Sequence, residues 1–186
     1  MTNTPSYHDI LEFWIEIGPD GWWYKNAEID RRIVEEFGAT HTAAIAGELD
    51  HWAKEADGAL ALIIVLDQFS RNMFRGSPRS FTQDDQALAI SQTAIEKGLD
   101  KFCREDLRLF FYLPFEHSER IADQHRSVML QHSLAEQDSK IEAMKAALEH
   151  REIIQRFGRF PHRNAVLGRH TTPAEQAYLD GGGFKG

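Results

Sequence analysis

The sequence predicts an all-α fold, and three observations carry that prediction. Apolar residues recur at helical spacing along nearly the whole chain. No stretch alternates apolar and polar residues with period two over a useful length. Gly, Pro and N-capping residue types fall where helices of ordinary length would start and stop. At 186 residues the chain is the size of one domain, by the usual measure of ~100–200 residues each. It is long enough to bury a core without disulfide or metal staples. The expectation is a single all-helical domain over residues 1–186, with an ordered core from about residue 6 to about residue 180 and about seven or more helices.

The elements follow in order. Ser6 is placed to cap a first helix to Ile17, where Gly18-Pro19 stops it, with Ile10, Phe13, Trp14 and Ile17 on one face. Gly21 to Tyr24 reads as a turn. A second helix is expected from about Ala27 to Trp52, with an interruption near Gly38. Ala59 to Phe74 reads as the central helix: its first half, Ala59 to Leu66, is apolar on every side, and its second half turns polar. Thr82, with Asp85 three residues on, reads as the cap of a helix to Lys97, ended by Gly98. Glu105 to Phe115 should be helical, with Pro114 kinking or stopping it. Ser118 is expected to cap a helix from Glu119 to Glu136, and Ser139 one from Lys140 to Phe157. Gly158 to Leu167 should be a loop, Thr172-Pro173 the start of a last helix to Leu179, and Gly181 to Gly183 a solvated end.

The formal net charge is −8. An acidic chain is a poor match for nucleic acid or for an anionic membrane surface, both of which need a basic field. Cys103 is the single cysteine, so no internal disulfide forms, in keeping with a reducing cytoplasm. The first residues show no basic region followed by an apolar run, so no signal peptide is expected. The phosphate loop, dinucleotide glycine pattern, nucleophile elbow and His-Glu-x-x-His motif are all missing. Glu48-x-x-His51 and the pair His125 and His132 read as solvated helix faces, and no metal or other cofactor is expected. Cys103 reads as a small core residue, although Lys101 and Arg104 beside it would favour a thiolate.

Three polar segments stand out between apolar runs. The first holds Asp67, Gln68, Arg71, Asn72 and Arg75, with Asp67, Arg71 and Arg75 spaced by four. The second holds Glu116, His117, Ser118, Glu119, Asp123 and Gln124. The third runs from His150 through Arg156, Arg159, His162, Arg163 and Asn164 to Arg169. Between His150 and His170 there are five arginines and one acid, so the window carries +4 in a chain whose remainder carries −12. Arginine in place of lysine suits the bidentate grip of carboxylate or phosphate. Phe69, Phe74, Phe115, Phe157 and Phe160 would wall such a site.

Taken together, ALALIIVLDQFSRNMFRGSPRSF, YLPFEHSE with Asp123-Gln124, and RFGRFPHRN after His150 and before Gly168-Arg169 resemble a bacterial family, domain of unknown function 924. The resemblance runs from Glu12-Phe13-Trp14 to Leu179. This chain departs from the family's usual residues at Ser70 (commonly Pro), Thr171 (commonly Ser) and Glu116 (often Met). The resemblance implies a helical superhelix of tetratricopeptide-repeat type and no established activity. By that resemblance the polar positions named above, Glu116 excepted, recur in the family.

Two functions fit these residues. In the first, the chain is a binding protein or an enzyme acting on a small anionic molecule: Arg71, Arg159 and Arg163 hold the anion, His117 or His162 is the acid–base group, and Glu119 or Asp123 orients it. In the second, the chain is a scaffold presenting a concave helical surface to a peptide or protein, and the Arg/His/acid network is purely structural. The first predicts that Arg71, His117 and His162 share one cavity.

Overall fold

The fold is all-helical, with several helix bounds differing from those expected, and no strand occurs among residues 5–134 and 138–186, which the computed structural model describes, the side chains of 138–140 set aside. Ser139, expected to cap a helix beginning at Lys140, lies inside the helix Asp138–Phe157 instead, while the extension of the preceding helix to Glu136 lies outside the described residues. The chain divides into two compact units: residues 1–75 with 79–114, and residues 76–78 with 115–186.

In the first unit, α1 (Tyr7–Trp23) begins with the Ser6 cap, a reciprocal box with Asp9. Gly18 breaks its helical geometry, as expected, at φ 58°. The segment expected to be a turn after it instead adds a final helical turn, because Pro19 sits where a helix needs no N–H donor. The second helix, α2 (Ala27–Ile45), capped by Asn26, passes through Gly38 without interruption and stops well before Trp52. Trp52 lies instead in a short 3₁₀ turn, Asp50–Lys54. The next helix crosses that turn so closely that a Cβ on Gly58 would collide with the Trp52 carbonyl.

The central segment is α3 (Ala56–Ile63), a π-helical turn (Ile64–Phe69) and α4 (Ser70–Met73). Ala59 to Leu66 is buried at every position, at most 1% exposed, as its apolar run predicts. It packs against α1 and α5 (Asp84–Glu96). The rings of Phe13, Trp14, Phe37, Phe69 and Phe110 close the core around it, Phe13 lying 5.0 Å from Phe37 and Trp14 5.3 Å from Phe110. Thr82 does not cap α5: its hydroxyl donates to the Arg79 carbonyl, and Gln83 takes the cap position without a side-chain bond to the helix backbone. Glu105–Phe111 is 3₁₀, and Pro114 lies in the first turn of α6 (Leu113–His117), where a missing N–H costs nothing.

In the second unit, α7 (Ile121–His132) and α8 (Asp138–Phe157) pack as a pair. Ser118 stands before α7, accepting from the Arg120 N–H and donating to Asp123. A 3₁₀ turn (Pro161–Arg163) leads to α9 (Pro173–Asp180), which opens on a capping box between Thr172 and Glu175. Ile153, Ile154 and Phe160 form the core, with Phe157, Tyr178 and Phe184 packed on it. The glycine tail is therefore not simply a solvated end. Gly181 and Gly182 are exposed, but the chain then folds back and lays Phe184 on that core.

Candidate functional site

Each unit carries a polar cluster. In the first, the π-helical turn sets Asp67 inward, 1% exposed. Arg71 reaches Asp67 at 3.0 Å and Asp84 at 3.1 Å, and its Nη1 also donates to the Asp67 carbonyl at 2.8 Å. Gln68 donates to Asp67 at 2.5 Å. Burial opposes the Arg71 charge, but Asp67 and Asp84 outweigh it and hold the guanidinium protonated. Arg75 does not line up with Asp67 and Arg71, because α4 ends at Met73. It forks instead onto Asp30 at 2.6 and 3.0 Å, and Asn72 donates to the same carboxylate at 2.7 Å. Behind them Ser70, fully buried, donates to the Leu66 carbonyl and lies 2.8 Å from Nε2 of His41. Burial pushes the His41 imidazole below its ordinary range, with Arg79 adding to the effect. A surface cleft of about 410 Å³ in this unit is lined by Asp9, Glu12, Glu16 and Glu36 with the single cation Arg32, an unfavourable setting for an anion.

In the second unit the second and third polar segments meet. Glu119 accepts from Arg169 through both oxygens, at 2.7 and 3.0 Å, and from the Phe160 N–H at 2.8 Å. Arg169 also donates to Asn164 at 2.9 Å and to the Phe160 carbonyl at 2.9 Å. Burial raises the Glu119 proton affinity, but the bonds from Arg169 and Phe160 outweigh it, and the carboxyl lies below its ordinary range. Arg159 forks onto Glu175 at 2.6 and 2.9 Å. That bond, opposed by burial and helped by Thr172, holds Glu175 far below the carboxylate range. Asp123 takes Ser118 and Arg120, and the Gln124 amide donates to the Glu116 and Ser118 carbonyls.

A ring-lined cluster stands beside these clamps. His150 donates from Nδ1 to the Ala146 carbonyl and has Glu116 at 3.5 Å. Its ring lies 5.3 Å from Phe160 and 4.5 Å from Phe184. His162 lies 5.6 Å from Phe160 and 5.0 Å from Phe184. Arg163, buried, stacks over Phe160 at 4.6 Å, while Arg156, exposed, lies over Phe157 and Tyr178. Burial, then Arg163 and His150, push the His162 imidazole down to about 3. Its Nδ1 is buried and makes no hydrogen bond among the described residues.

Of the candidate residues, Asp67, Gln68, Arg71, Asn72 and Arg75 belong to the first unit, and His117, Glu119, Asp123, Gln124, His150, Arg156, Arg159, His162, Arg163, Asn164 and Arg169 to the second. His117 is half-buried at the end of α6. Neither Glu119 nor Asp123 bonds an imidazole; each is taken up by arginine. Asp30, Asp84, Glu175 and Phe184 were not legible as site residues. Glu175 alone left a signal, standing three residues after the cap Thr172. Cys103 is half-buried rather than core, and burial raises its thiol to about 11, against the thiolate that neighbouring cations would favour. Among the described residues no group of three His, Cys, Asp or Glu is arranged to hold a metal ion. No described helix is long and apolar enough to cross a membrane.

These features define the class: an all-helical protein, among its described residues, with a polar cluster in each of two compact units. The chain belongs to the family described as bacterial protein of unknown function DUF924, whose model matches residues 10–183. It is similar to the solved structure of a protein of unknown function from Agrobacterium tumefaciens, with 44% identity over 94% of this chain and 97% of that one and a TM-score of 0.89. No curated protein matches.

Proposed function

We propose that this chain is a cytoplasmic protein that binds a small anionic molecule at the His150–Phe160–His162 cluster of its second unit. The observation that carries the reading is His162 itself. Its proton affinity is depressed first by burial and then by the positive charge of Arg163, with Glu119 opposing, and the part that Arg163 contributes is a potential that also attracts an anion. The aromatic walls lower the local dielectric and strengthen that attraction. Arg159 and Arg169, forked onto Glu175 and Glu119, fasten the loop that presents His162. As it stands His162 is neutral at pH 7, so it offers a hydrogen bond rather than a proton. A bound anion raises its proton affinity and brings it toward acid–base use.

The test is a thermal-shift panel of inorganic phosphate, acetate and small di- and tricarboxylates. A binder at about 100 times its dissociation constant adds ~2.7 kcal/mol of stability, a rise of roughly 5–10 °C for a chain of this size. Arg163→Ala should abolish the rise while the helical circular dichroism persists. No shift with any anion, or the same shift in Arg163→Ala, overturns the reading. One observation favours the scaffold reading: Ile121 and Met129 on α7 and Ile141 on α8 are apolar and exposed, as a surface meeting a peptide or protein partner would be.

A further inference from the structure

The tail that follows α9 is built to lie where it does. Gly182 turns at φ 86°, a left-handed conformation that favours glycine. Gly183 crosses the Tyr178 ring so closely that a Cβ there would stand 2.5 Å from ring carbons. Its N–H donates to the Tyr178 carbonyl at 3.0 Å, and the Phe184 N–H donates to the Tyr178 hydroxyl at 2.9 Å. A Cβ on Gly186 would press on the His162 ring at 3.0 Å. The path delivers one phenyl ring onto the two histidines, edge-on to both, with Phe160 lying near the same two rings. Edge-to-face packing at these separations is the geometry an aromatic guest would seek. Phe184 fills that geometry incompletely, since a phenyl ring has no polar atom to offer the buried Nδ1 of His162.

We propose that His150, Phe160 and His162 form a receptor for the ring of an aromatic carboxylate, and that Phe184 is its built-in occupant. The negative charge of that ligand rests on the anion reading above; the ring rests on Phe184. The carboxylate would accept from His162 Nδ1–H in the neutral tautomer and face the potential of Arg163. The occupant reduces the apparent affinity by the fraction of time the receptor is free. Affinity for an aromatic acid is therefore set by how firmly Tyr178 and the glycines hold the tail.

The experiment follows the His150 and His162 imidazole resonances by NMR, titrating benzoate, acetate and phenol into the wild-type chain and two variants. Phe184→Ala removes the occupant. Gly183→Ala keeps the phenyl ring but unseats the tail from Tyr178. Circular dichroism confirms that both retain their helices. Benzoate should perturb both rings in each variant at about a tenfold lower concentration than in the wild type, as release of a competing occupant requires. It should also act well below the concentration at which acetate does. Benzoate acting no better on the variants than on the wild type overturns the occupant. Benzoate and acetate acting alike in the variants overturns the ring receptor and leaves the anion reading standing. Phenol matching benzoate while acetate is inert keeps the receptor and overturns the anion reading.

Discussion

His162 links burial, charge and stability in one side chain. Its imidazole is held down to about 3 by burial, Arg163 and His150, against about 6.5 in an unfolded chain. The sign follows directly. Above about pH 6.5 neither state binds the proton and the stability is whole; below it the unfolded chain takes up a proton the folded chain refuses. Stability should therefore fall as pH drops from about 6.5 toward about 3, by at most ~1.4 kcal/mol per pH unit from this residue. Urea denaturation at pH 7 and pH 5 measures the loss, and His162→Asn should flatten it. An unchanged pH dependence in the variant would mean that the ring is hydrated and titrates normally. The motif that drew attention to His162, an arginine-rich run with histidine and phenylalanine, is local and therefore legible. Its depressed proton affinity is not, because part of it comes from His150 on another element.

At the scale of elements, the sequence is most informative where the cause of structure is local. Ala59 to Leu66 is apolar on every side and is buried on every side, so only its length and its neighbours needed the structure. Leu62→Ala or Ile64→Ala should cost about 2–5 kcal/mol by the behaviour of fully enclosed aliphatic side chains. Loss of less than about 1 kcal/mol at both positions in urea denaturation would place that helix at the periphery. Caps were equally legible where the side chain had no better partner, as at Ser6 and Thr172. Thr82 failed as a cap because its hydroxyl found the Arg79 carbonyl three residues back. Gly38 failed as an interruption because a glycine with open space around it merely weakens a helix. The π-helical turn left no signal. It arises inside a run that reads as unbroken α-helix, and it puts Asp67 into the core beside Arg71 and Gln68.

For the molecule as a whole, the acids and arginines that looked like a ligand site are largely each other's partners across long stretches of chain. Arg75 meets Asp30, 45 positions earlier, and Arg169 meets Glu119, 50 positions earlier. No periodicity encodes such pairings, which is why the three polar segments were visible and their partners were not. Glu119 does more than balance a charge: it also satisfies the Phe160 N–H and so ties the 3₁₀ turn that carries His162 to the segment before α7. Both side chains are only partly exposed, at 22% for Arg169 and 28% for Glu119, so screening by solvent is incomplete. A bidentate, hydrogen-bonded pair in that setting should couple by about 1–3 kcal/mol. A double-mutant cycle of Glu119→Gln and Arg169→Gln, read by urea denaturation at pH 7, measures it. Each single variant should lose more than half of what the double variant loses, because each strands the other group. Additive losses, with a coupling below about 0.5 kcal/mol, would show that the two positions act independently. Arg169 would then be free to serve a ligand, and the division of labour between clamping and binding arginines would have to be redrawn.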